Sequence, residues 1–367
     1  MKTQSILSAL ALVVSAAAVE NDPFNQWDQD KSGTLTRDEL PEPLRRNFAA
    51  ADTNRDGVIS REEHQALRER NRAGQQSPPN RDDVKVTLDL PYADSGNPAQ
   101  RLDLFLPSKP ATDKPLPVIV FIHGGAWHAG SKASGRGNVM PYVGSGRYAG
   151  ASVEYRFSQE AKWPAQIHDC KAAIRWLKGH AKEYNLDPEK IAVWGGSAGG
   201  HLVAALGVTG DVKELEGTLG KHLDQTSRIA CVADYFGPTN LLTMGDFPST
   251  MKHNAADSPE SQLIGGAIQE NKEQARKASP MTYLSKDDAP VFIAHGTADP
   301  LVPYNQSEIF AAALKENGVP VYVQTIQEGG HGGFEGPKLN ARLKAFFDKY
   351  LLGADTAIET GTLKVRE

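Results

Sequence analysis

KIAVWGGSAGGHLVAAL, residues 190–206, decides how this chain is read. Ile191, Ala192, Val193 and Trp194 have the pattern of a buried strand. Gly195-Gly196-Ser197-Ala198-Gly199 is a turn without bulk, and an apolar helix follows. A serine on a strand-to-helix turn sits in strained backbone, and a Cβ at either flanking glycine would crowd the strand or the helix. That strain holds Oγ clear of the sheet and aims the next N–H at whatever Oγ attacks. At average Gly and Ser usage, G-x-S-x-G arises by chance in roughly one chain of this size in ten. Its partners must therefore decide.

Upstream, PVIVFIHGGA (117–126) is an apolar β-branched run that ends in His123-Gly124-Gly125-Ala126-Trp127. It predicts a buried strand delivering a Gly-rich loop whose free N–H groups face a developing oxyanion. Downstream, PVFIAHGTADP (290–300) predicts another buried strand and a polar loop carrying Asp299. VYVQTIQ (321–327) predicts a last strand, followed by Glu328-Gly329-Gly330-His331-Gly332-Gly333. Ser, Asp, His is the chain order of an α/β-hydrolase. Each residue falls just past the C-terminal end of a strand, where open α/β sheets build their sites.

The 367 residues suffice for a core domain and a small appendage, and a net charge of −5 gives no reason to expect nucleic acid. Cys170 and Cys231 fall in a predicted helix and a predicted strand, which favours two buried free thiols over a disulfide. MKTQSILSALALVVSAAAVEN (1–21) has one lysine, an apolar run too short for a bilayer, and Ala16-Ala17-Ala18. This predicts a signal peptide over residues 1–18, and a secreted or periplasmic protein with no membrane attachment after cleavage.

Residues 19–70 are a different kind of sequence. DQDKSGTLTRDE (28–39) fits a twelve-residue Ca²⁺ loop, with Asp28, Asp30, Ser32, Thr34 and Glu39 at the ligand positions and Gly33 at position six. DTNRDGVISREE (52–63) repeats it with Asp52, Asn54, Asp56, Val58, Glu63 and Gly57. Phe24 and Phe48 precede their loops by the same spacing, so the unit is an internal duplication. It resembles an EF-hand pair, but about a dozen residues separate the loops, and Pro41 and Pro43 interrupt them. One shared helix fits there, a compactness that also resembles dockerin modules. Outside the cell such a unit is expected to be a structural Ca²⁺ staple rather than a sensor.

Residues 71–83 read as a polar linker and 84–352 as the catalytic domain, with eight mostly parallel strands and helices on both faces. The stretch between Pro238 and Pro290 lacks a strand pattern and is expected to be a small helical insertion over the site. Residues 353–367 read as a disordered polar tail.

Ser197 is expected to be the nucleophile, His331 the base and then the acid, and Asp299 the group that orients His331. The N–H groups of Gly125, Ala126 and Ala198 are expected to bind the oxyanion. His295 reads as a satisfied polar residue at a strand end, His201 as packed, and His123 as a brace for the oxyanion loop. Asp234 lies inside a strand rather than beyond one, and Glu328 is a weak rival to Asp299.

HGGAWHAGSK (123–132), residues 152–202, ADYFGPTNLL (233–242) and HGTADPLVPYNQSEIFAAAL (295–314) make residues 84–352 resemble the α/β-hydrolase fold. Within it the chain is similar to hormone-sensitive-lipase-like esterases, and more closely to bifunctional feruloyl and acetyl-xylan esterases. The resemblance implies a carboxylic-ester hydrolase with Ser197, Asp299 and His331 as triad, acting on acetyl or feruloyl esters of a plant polysaccharide. Ala126 stands where lipase-like relatives often have glycine; backbone donation survives that change. A short-chain carboxylesterase or arylformamidase remains open, as does a non-catalytic binding protein on the same fold, although such proteins usually lose the nucleophile or base.

Overall fold

The computed structural model of the protein describes residues 24, 27–40, 48–54, 56–66, 83–210 and 212–367. The expected signal peptide and all but the last residue of the expected linker lie outside them. The chain divides into two units, Met1–Pro79 and Asn80–Glu367. In the first, β1 (Thr34–Leu35) pairs antiparallel with β2 (Ile59–Ser60), which sets Leu35 opposite Ile59. These are the apolar residues at position eight of each loop. With Phe24, Leu40 and Ala51, the last on α1 (Phe48–Ala51), they form a small core.

The second unit is built on β3 (Val84–Pro91), β4 (Arg101–Pro107), β5 (Leu116–Ile122), β6 (Ala149–Val153) and β7 (Leu186–Gly196), continued by β8 (Cys231–Tyr235), β9 (Val291–Gly296), β10 (Val321–Gln327) and β11 (Gly361–Lys364). Their order across the sheet is β11-β10-β9-β8-β7-β5-β6-β4-β3. All neighbours from β6 to β11 run parallel, while β4 meets β6, and β3 meets β4, antiparallel.

β5 is buried at every position because both faces of the sheet are covered. Val118, Val120 and Ile122 join one core, and Ile119 and Phe121 the other. The first face carries α3 (Ala165–Gly179), α4 (Ala181–Tyr184) and α5 (Ala198–Val208); the second carries α2 (Gly135–Val143). The insertion supplies α6 (Pro259–Ile264) and α7 (Lys272–Lys277) and no strand; α8 (Asn305–Glu316) and α9 (Pro337–Leu352) follow.

Two expectations are corrected. The sheet has nine strands rather than eight, and residues 353–367 are not a disordered tail. Leu363 of β11 lies opposite Ile326 of β10, is 3% exposed and joins the second core. A strand with one apolar inward residue gives no periodicity to read; it is held by the partner strand it extends. Cys170 and Cys231 are free and buried, as expected.

β6 and β7 flank β5 on opposite sides, so the strand order reverses at β5. The loops after β5 and β7 therefore diverge and leave a crevice at the carboxyl ends of the strands.

Candidate active site

Ser197 sits in that crevice between β7 and α5 with φ 58° and ψ −125°, a conformation that costs a non-glycine residue stability. Its N–H donates to Tyr235 O at 2.9 Å, and its carbonyl accepts from His201 N at 2.9 Å. The turn closes because Gly199 has no side chain: a Cβ there would stand 2.1 Å from Ile122 O. Ser197 Oγ makes no hydrogen bond within the described residues.

The loop after β5 lies against this elbow, since a Cβ at Gly124 would fall 3.3 Å from Ser197 Cβ. Gly125, Ala126 and Trp127 all have positive φ (113°, 53° and 57°), so three successive peptides are turned over. Among the described residues the N–H groups of Gly125 and Ala126 donate to no protein group. Ala198 opens α5, so its N–H has no partner within that helix. His123 holds the loop from below: its ring nitrogens lie 2.7 Å from Gly124 O and 2.8 Å from Glu154 Oε1, and Tyr155 stacks on it at 4.4 Å.

Asp299 and His331 come from the loops after β9 and β10, with His331 Nδ1 2.8 Å from Asp299 Oδ2. Asp299 Oδ1 accepts from the N–H groups of Leu301 (2.8 Å) and Val302 (3.0 Å). Burial would raise the Asp299 pKa, but hydrogen bonds from His295 and His331 outweigh it and hold the carboxyl well below the usual carboxylate range. Phe236 joins the two halves of the site. Its ring lies 4.6 Å from that of His331, and a Cβ on Gly196 would touch it at 3.0 Å. The arrangement can deprotonate a serine hydroxyl and stabilise a tetrahedral oxyanion.

Sequence reasoning missed two partners. His295 is fully buried and does more than end a strand: its Nε2 lies 3.2 Å from Asp299 Oδ2, while Nδ1 is 2.7 Å from Ser307 Oγ. Its position four residues before Asp299 was the available signal. Phe236 left no local signal. Of the rivals, Asp234 is fully buried under α5, with its carboxyl pushed up to about 7 by burial, and Oδ2 lacks a partner. Glu328 is exposed and forms no ion pair with His331.

In the first unit, oxygens of Asp28, Asp30 and Glu39 lie within 4.8 Å of one another, a donor set that suits a hard cation. Asp28 also accepts from the N–H groups of Ser32 and Gly33, and Ser32 Oγ lies 3.0 Å from Thr34 O. In the second loop Asp52 accepts from the N–H groups of Asp56 and Gly57, Asn54 Nδ2 donates to Asp56, and Asp56 accepts from Val58 N. The Ser60 N–H and the Thr53 hydroxyl hold the Glu63 carboxyl down at about 2, so it is ionised at neutral pH.

Residues 102–314 match the family model described as BD-FAE, and residues 45–67 match the EF hand model. Esterase LipQ of Mycobacterium tuberculosis is 28% identical over 257 residues, covering 70% of this chain and 59% of that protein. The chain spans between half and three-fifths of the length of the first curated relatives it matches. A truncated carbohydrate esterase from gut microbiota superimposes with a TM-score of 0.69 at 32% identity, over 75% of this chain and 100% of that one. A bifunctional GH43-CE protein of Bacteroides eggerthii gives 0.66 at 34% identity, over 72% of this chain and 38% of that one. With a family model matching more than half of its residues and a 32%-identical structure covered end to end, the chain belongs to the BD-FAE family, and its site is that of a serine esterase on the α/β-hydrolase fold.

Proposed function

We propose that the protein removes acetyl or feruloyl groups from a plant polysaccharide outside the cytoplasm. The observation that carries the chemistry is the Asp299–His331 hydrogen bond, set in one crevice with a strained serine and three unused N–H groups. Asp299 engages Nδ1 of His331 and leaves Nε2 to take the Ser197 proton. Ser197 Oγ then attacks the ester carbonyl, and the N–H groups of Gly125, Ala126 and Ala198 bind the oxyanion, each worth about 3 kcal/mol to the transition state. His331 passes the proton to the leaving sugar oxygen, and the acyl-serine forms. Water, deprotonated by His331, releases the acid and restores Ser197.

The polysaccharide assignment draws on the carbohydrate esterase and the GH43-CE protein among the similar structures. The test is a panel of acetylated xylan, methyl ferulate and nitrophenyl esters of graded length, run on wild type and Ser197→Ala. Release of acetate or ferulate that vanishes in the variant supports the reading. Turnover confined to short nitrophenyl esters would assign a general short-chain carboxylesterase instead.

The two acidic loops are proposed to hold structural Ca²⁺, with Glu39 and Glu63 as bidentate ligands. The remaining ligands would be Asp28, Asp30, Ser32 and the Thr34 carbonyl in one loop, and Asp52, Asn54, Asp56 and the Val58 carbonyl in the other. The ion cross-links each loop and takes no part in ester cleavage.

A further inference from the structure

Away from Ser197, a cleft of about 600 Å³ opens between the start of α3, the segment after α5, and helices α6 and α7. That is a fitting size for one small ligand. Trp163, Leu215, Ile264 and Tyr283 supply apolar walls, and Glu214 and Gln274 supply polar groups. The two aromatic rings are fixed by a single acceptor. Trp163 Nε1 donates to Lys277 O at 3.1 Å, and the Tyr283 hydroxyl donates to the same oxygen at 2.8 Å. Both rings are only half-buried, and both polar tips are already engaged.

Such rings offer C–H-binding faces and lose little freedom when a ligand arrives. The Glu214 carboxylate and the Gln274 side-chain amide form no hydrogen bond or ion pair within the described residues. They remain available as an acceptor and as a donor–acceptor pair. Flat apolar faces beside a carboxylate and an amide match a pyranose, whose axial C–H groups stack while its hydroxyls pair at the rim. Among the charged groups lining the cleft, Glu273 and Lys277 pair with each other at 3.7 Å, which leaves Glu214 as the uncompensated charge and disfavours an anionic ligand.

The wall of the cleft packs on the buried rings beneath the oxyanion loop. The Trp163 ring lies 5.2 Å from that of His201, and His201 lies 5.1 Å from Trp127, the neighbour of Ala126. We propose that this cleft is a saccharide-binding site that holds a neutral sugar unit of the acylated chain on the enzyme, apart from the unit deacylated at Ser197. The proposal rests on the polysaccharide reading above.

The test uses the full-length Ser197→Ala protein, which binds without turnover, titrated with xylotetraose by calorimetry and tryptophan fluorescence. Saturable binding is expected, weakened roughly tenfold when Tyr283→Ala is added and severalfold by Gln274→Ala, an exposed change that leaves the fold alone. Absence of xylotetraose binding at millimolar concentration overturns the subsite. So does unchanged affinity in both variants, or binding of methyl ferulate in place of xylotetraose. Acetate release from acetylated xylan is measured separately on wild type. Binding without release keeps the subsite and removes the polysaccharide-esterase reading, whereas release with unaltered affinity in both variants does the reverse.

Discussion

Trp127 donates its indole N–H to Nδ1 of His201 at 3.1 Å, and Nε2 of the same imidazole lies 2.7 Å from Ala278 O. One fully buried ring thus ties the oxyanion loop to the nucleophile helix and to the insertion. Accepting at Nδ1 fixes the proton on Nε2, and burial lowers the pKa to about 4, so the ring is neutral.

His201→Phe removes both hydrogen bonds while keeping an aromatic ring. The turned-over peptides 125–127 then lose their anchor, and kcat for nitrophenyl acetate falls about 10- to 100-fold with a smaller change in KM. The stability profile changes too. Between about pH 6.5 and 4 the unfolded imidazole takes up a proton that the folded one refuses, so its contribution is intact above that window and lost as pH falls through it. Urea unfolding at pH 7 and pH 4.5 should show a smaller acid-induced loss in the variant than in wild type.

Ser197→Ala abolishes ester turnover and leaves the melting temperature nearly unchanged, because Ser197 acts through Oγ. Ser197→Gly is equally inactive yet more stable than Ser197→Ala by roughly 1 kcal/mol, since glycine adopts φ 58° without strain. Equal stability of the two variants in denaturant melts would show that the elbow stores no such strain.

Asp299→Asn lowers kcat by about 10³- to 10⁴-fold, because an amide favours the wrong imidazole tautomer. His295→Gln takes a ring donor from the Asp299 carboxylate and costs about 10- to 100-fold in kcat, in line with roughly 1.5–3 kcal/mol for a hydrogen bond to a charged group. Steady-state kinetics on a small ester read both. Wild-type rates for Asp299→Asn would refute Asp299 as the group that orients His331.

Asp234 contributes more stability in mild acid than at neutral pH, opposite to His201. Its carboxyl keeps its proton up to about pH 7 in the folded state, against 3.8 unfolded, so its contribution is whole below about pH 4 and lost as pH rises to 7. The stability of Asp234→Asn relative to wild type should therefore climb over that interval by at most about 4 kcal/mol and level off above it. Denaturant melts across pH 4–8 measure the difference, and a difference that stays flat with pH refutes it.

Chelation separates the two units. Removing the proposed Ca²⁺ would leave the carboxylates of Asp28, Asp30 and Glu39 crowded without a counter-charge, so residues 19–70 are expected to lose resistance to protease. Turnover of soluble nitrophenyl esters stays within about twofold, because Ser197, Asp299, His331 and the oxyanion loop all belong to the second unit. Limited proteolysis and an esterase assay with and without chelator provide the check, and a Ca²⁺-dependent kcat on a small ester overturns the independence of the units.

The elements that carry the chemistry were legible because their signals are local. The runs 117–122, 191–194 and 291–294 are apolar and β-branched, as strands covered on both faces require, and each is followed by glycines where the chain must turn tightly. Ser197 and Asp299 could be picked out because each follows such a strand, and His331 because its glycine-flanked loop follows the strand run VYVQTIQ (321–327). The two acidic loops were legible from spacing alone, since position eight of each supplies the residue that pairs across β1 and β2.

The sequence by itself determined the kind of strands, the turns after them and the order of the chemical groups, all properties of a few neighbouring residues. Tertiary structure alone decided the rest. Trp127 and His201 are 74 residues apart, and His201 and Ala278 77 apart, so no periodicity announces their hydrogen bonds. Phe236 reaches His331 only because β8 lies between β7 and β9, and Gly361–Lys364 is a strand only because β10 offers it a free edge. Parallel pairing is non-local: its partners are chosen by the packing of the whole sheet, and a short segment carries no record of that choice.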